Sequence, residues 1–134
     1  MKDVSYGITR NIGHIDFDAA VEKVTAALKT EGFGVLTDID VQATLKKRLD
    51  VDRSKYRILG ACNPPLAHKS LSIEPLIGLL LPCNVVVAEE DDNSVVVSAV
   101  NPEAIFSVVE NEAVAAAAAE VTAKLKRVMS RFDS

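Results

Sequence analysis

The residues best suited to chemistry are two cysteines, Cys62 and Cys83, with Asn63, His68, Glu74 and Asn84 close to them along the chain. A thiol is a soft donor for a metal or cofactor, and its thiolate is a nucleophile. His68 could add a nitrogen donor and Glu74 a carboxylate. Each cysteine is followed directly by an asparagine, and Cys62 stands just before a helix start, where the dipole favours an anionic sulfur. A site built from Cys62, Asn63, His68, Glu74, Cys83 and Asn84 would hold a small ligand or haem-like cofactor. It would hold a soft metal through Cys62, His68 and Cys83, or run thiol exchange from Cys62 with Cys83 resolving. Against this stands a plain reading: two small core cysteines, asparagines that cap turns, and a histidine satisfied by backbone. The cysteines lack CxxC spacing. No glycine-rich phosphate loop, nucleophile elbow or paired zinc motif occurs, so catalytic residues stay unassigned and the cofactor unknown.

These residues need elements to position them. Val4 to Arg10 alternates and predicts a strand with Val4, Tyr6 and Ile8 inward. Asp16 is a good N-cap for a helix whose Phe17, Val21, Val24 and Leu28 recur at helical spacing, with Gly32 placed to end it. A second strand follows over Phe33 to Ile39, then a short basic helix from Val41 to Leu49. Tyr56 to Ala61 reads as the third strand. Asn63-Pro64 is a cap with proline at the first helical position, so a helix is expected to about Glu74. Val85 to Glu89 and Val95 to Val100 are the last strands, joined by a polar turn. Asn101-Pro102 opens a short helix that leads into a long one, Asn111 to Arg131. Its core stripe is expected at Val114, Ala118, Val121, Leu125 and Val128, with a Glu120–Lys124 pair outside.

This order predicts an α+β fold, β-α-β4-α: a five-stranded antiparallel sheet in the order 1-5-4-3-2, with two long helices on one face. Cys62 would end strand three and Cys83 begin strand four, which brings both thiols to one end of the sheet. Val85 to Val87 and Val95 to Val97 are apolar on both faces, so the face away from the helices should also be covered. The short helix with Leu79 to Leu81, or a second subunit, would cover it.

At 134 residues the chain is expected to form one domain, residues 1–134. Hydrophobic residues reach 49%, more than an interior of this size readily hides, which favours a homodimer. The net charge of −4 argues against nucleic acid. The basic residues Lys46 to Arg48, Arg53, Lys55 and Arg57 alternate with Asp50 and Asp52, as a solvated surface does. Met1 to Val4 lacks an export signal, and the apolar run from Gly78 to Ala88 is too short for a membrane span, so the expected location is cytoplasmic with reduced thiols.

The stretches YRILGACNPPLAHKSL, from Tyr56, and EPLIGLLLPCNVVV, from Glu74, resemble the signature of an uncharacterised prokaryotic family, domain of unknown function 302. The resemblance implies a fold like one half of the TATA-binding protein and a homodimer. It places motif positions at Cys62, Asn63, Pro64, His68, Glu74, Leu81, Pro82, Cys83 and Asn84. It implies no activity, and fold likeness alone does not transfer DNA binding. The function classes left open are a ligand, metal or cofactor binding module, a thiol-based redox or sulfur-handling enzyme, and a purely structural dimeric interaction protein.

Overall fold

The computed structural model describes residues 1–133. Strand β1, Gly7–Asn11, starts later than its alternation predicts. Residues 4–6 turn instead: Gly7 N–H donates to the Val4 carbonyl at 3.2 Å, and Tyr6, expected inward, is 59% exposed. The reason lies in the partner strand. β5, Val95–Val100, pairs Val100 with Gly7 and then gives way to the helix opened by Asn101-Pro102.

Helix α1, Phe17–Lys29, begins where the Asp16 carboxylate accepts from Ala19 N–H at 3.0 Å. Gly32, at φ +84°, turns the chain out of that helix so that Phe33 N–H can reach the Leu28 carbonyl at 3.0 Å. Strands β2, Gly34–Asp40, β3, Tyr56–Cys62, and β4, Cys83–Glu89, complete the sheet. Its order is β1-β5-β4-β3-β2, with every neighbouring pair antiparallel, as the sequence predicts.

Paired residues share a face, so the register sorts the valines. Val85, Val87, Val95 and Val97 join Leu59 and Ala61 in the core beneath α1 and helix α5, Glu112–Ser130. The expected stripe of α5, Val114, Ala118, Val121, Leu125 and Val128, is buried throughout. Glu120 and Lys124 do not close into an ion pair; Arg127 reaches Glu31 instead, at 2.9 Å, tying α5 to the end of α1.

The far face carries a row of Thr9, Ser98, Val86, Ile58 and Ile39 across the five strands. The segments expected to cover it lie elsewhere. Helix α3, Pro64–Ile73, and the 3₁₀ turn Pro75–Leu80 lead to the first half of α5, where Ile77 packs with Phe106, Val114 and Ala118. Leu79 points outward and is 82% exposed. Helix α2, Val41–Leu49, buries no residue. Its basic character is partly neutralised, since Lys46 pairs with Asp50 at 2.8 Å; on the neighbouring strands Arg57 of β3 forms a two-bond fork with Asp38 of β2.

Candidate functional site

The β3–β4 pairing sets Ala61 opposite Cys83, so Cys62 and Cys83 do lie at the same end of the sheet. Both are free thiols, Cys83 buried and Cys62 half-buried. Between them and α3 opens a cleft of about 320 Å³, walled by both cysteines, Phe33, Leu66, Ser70 and Phe106 among others. Among the described residues, no carboxylate, ammonium, guanidinium or imidazole lines it.

Local chemistry explains each wall. Asn63 closes the junction between strand and helix: its Oδ1 accepts from Leu66 N–H at 3.4 Å, and its Nδ2 donates to the Glu31 carbonyl at 3.1 Å. That anchors α3 against the end of α1. Leu66 and Ser70, one turn apart, are the buried residues of α3 and face the cleft. On the opposite side Thr37 and Pro82 close over Gly60, where a Cβ would meet Thr37 Oγ1 and stand 2.8 Å from Pro82 Cγ. Glycine permits that approach. Burial, with a smaller contribution from neighbouring Cys62, pushes the Cys83 thiol up to about 11, so it remains protonated at neutral pH.

Of the six residues singled out by sequence, Cys62, Asn63 and Cys83 converge on the cleft. His68 is exposed on α3 outside it. Glu74 ends α3 and lies on a separate shallow groove with Leu76, Leu79 and Val108. Asn84 is exposed, in the register position opposite Gly60. The Cys62–His68–Cys83 metal set therefore does not assemble, and among the described residues no three His, Cys, Asp or Glu side chains are grouped to hold an ion. His68 misses the site because α3 turns Leu66 and Ser70 inward, and position 68 falls about 160° from the former. Sequence reasoning missed Phe33, Thr37, Ser70 and Phe106. No sequence signal marked Ser70, because the inward side of α3 is set by its packing.

The molecule is thus an α+β protein with a ligand-sized apolar cleft at one end of its sheet. The chain belongs to the family described as domain of unknown function DUF302, whose model matches residues 8–132. The crystal structure of an uncharacterized conserved DUF302 protein from Bacillus stearothermophilus is similar, with 26% identity and a TM-score of 0.87. The likeness covers 96% of this chain and 99% of that one. No curated protein matches the sequence. No helix among the described residues is long and apolar enough to cross a membrane.

Proposed function

We propose that this protein is a small-molecule binding module whose site is the cleft between α3, the β3–β4 end of the sheet and α5. One observation carries the reading: the motif-bearing stretch from Tyr56 to Val87 supplies most of the wall of a cavity of about 320 Å³. Sites for small molecules begin at roughly 300 Å³ and are mostly apolar with a few polar groups. In this reading Cys62 and Cys83 are polarisable wall groups, and Asn63 is a positioning residue for α3.

The proposed working unit is a cytoplasmic homodimer. Leu76, Leu79 and Val108 support pairing, since they form an outward apolar surface of the kind subunits cover. Two free thiols suit a reducing compartment. Native mass spectrometry of protein purified without added metal tests the whole reading. A dimer mass with a retained small molecule is the expected result. A monomer that retains nothing and shows no thermal shift with Zn²⁺, Cu⁺, haem or small apolar compounds would overturn it.

A second reading draws on the shared cleft of the two thiols. Cys62 thiolate attacks a substrate disulfide and releases one thiol; Cys83 thiolate then displaces the second and closes a Cys62–Cys83 bridge. A thiol with a pKa of about 11 is only about one part in ten thousand thiolate at pH 7. That makes Cys83 a poor resolving group and ranks this reading second. If Cys62 alkylates no faster than an unfolded peptide thiol, the reading is lost.

A further inference from the structure

We infer that the ligand of this cleft is an uncharged, largely apolar molecule of about two fused rings, with one hydrogen-bonding group that meets the Ser70 hydroxyl. The inference rests on the small-molecule reading above and names its ligand chemistry.

Three observations carry it. The described residues of the wall offer no counter-ion, so a charged group entering it would lose hydration without a partner. The size is bounded: about 320 Å³ is roughly twice the ~150 Å³ apolar cavity that takes up benzene. The third observation concerns Ser70, which is only 4% exposed and lies on the cleft wall. Ser70 Oγ makes no hydrogen bond among the described residues, and it is not among the side-chain atoms sealed from the surroundings. Asn63, the one amide side chain on the wall among the described residues, is already committed to Leu66 and Glu31. Thr37 is exposed at the rim. Ser70 is therefore the hydroxyl, on a largely buried residue of the cleft wall, that is left for an occupant to meet.

Calorimetric titration of the full chain with naphthalene, 2-naphthol and 2-naphthoate tests this, because the three differ only in the polar group. We expect 2-naphthol to bind about fivefold tighter than naphthalene, the worth of one net hydrogen bond, and 2-naphthoate at least about tenfold weaker than 2-naphthol. Ser70→Ala should bring 2-naphthol to within about twofold of naphthalene without lowering Tm, since no bond within the protein is lost. Should that variant fold poorly, Ser70→Cys keeps the size, weakens the donor and gives the same readout. Ala67→Phe, which fills the cleft, should abolish binding of all three. Equal binding of 2-naphthoate, or a 2-naphthol advantage that survives Ser70→Ala, overturns the ligand class and leaves the site standing. Binding of none of the three, or binding indifferent to Ala67→Phe, removes the site itself. Binding that fades as protein concentration rises would mean that a second copy occupies the mouth, and it too overturns the inference.

Discussion

The two halves of α5 sit in different interiors. Its second half, with Val121, Leu125, Val128 and Met129, belongs to the large cluster shared by α1 and the sheet. Its first half, with Val114 and Ala118, meets Ile77 and Phe106 in a smaller cluster. The large cluster rests on five strands whose backbones are hydrogen-bonded to one another. The small one is held by side chains from α3, the 3₁₀ turn and the short helix α4, Pro102–Ile105, with no strand among them. The cleft opens where they meet: Phe106 comes from the small cluster, while Val121, Ala61 and Cys83 come from the large one. A seam between two separately packed interiors is where a cavity persists, because neither cluster's packing dictates the other's shape.

Substitutions can break or sharpen this contrast. Leu125→Ala empties a fully buried position in the large cluster and should cost about 3 kcal/mol in urea unfolding. Ile77→Ala should cost less, about 2 kcal/mol, and should raise amide exchange in α3 well before the sheet. Equal costs with uniform exchange would show that the two interiors are one cooperative unit.

Cys83 gives the next effect. Its folded value of about 11 lies above the ordinary 9.0, so the folded state holds this proton more tightly. The resulting stability is complete below pH 9 and is lost as pH rises towards 11, by about 2 kcal/mol. Cys83→Ala should flatten that alkaline slope in denaturation curves measured across this range.

Gly60→Ala should cost about 1–2 kcal/mol by overpacking against Thr37 and Pro82. Thr37→Ala in the same chain should recover part of the loss. A Gly60→Ala protein as stable as the parent would show that the seam yields freely. The smallest effect lies at the sheet edge. Arg57 bonds the Asp38 carboxylate and holds it below its usual range, so its stabilisation is present above that range and fades as pH falls through it. Asp38→Asn should cost less than about 1 kcal/mol, because the pair is partly exposed. Both are read from urea midpoints, with the acid limb followed below pH 5.

Much of this architecture was legible beforehand. Helical spacing announced the buried stripe of α5, and Asp16, Asn63 and Asn101 announced helix starts that their side chains do cap. Alternation misled at Val4 to Tyr6, because a strand needs a partner and β5 runs out at Val100. The candidate site was legible where the sheet built it, through Cys62, Asn63 and Cys83. It was not legible on α3, where only packing against α5 decides which side faces inward and so admits Ser70 but not His68.

The sequence by itself determined the local matters: where helices begin, which residues alternate, and that two distant cysteines would meet at one end of an antiparallel sheet. Those follow from interactions within a few residues or from strand order, which the chain carries in its own pattern. Tertiary structure alone decided that the segment between β3 and β4 would leave the far face of the sheet and pack against α5. Its apolar residues suited either destination, and in the folded chain Ile77 packs with Phe106 and with Val114 and Ala118 of α5.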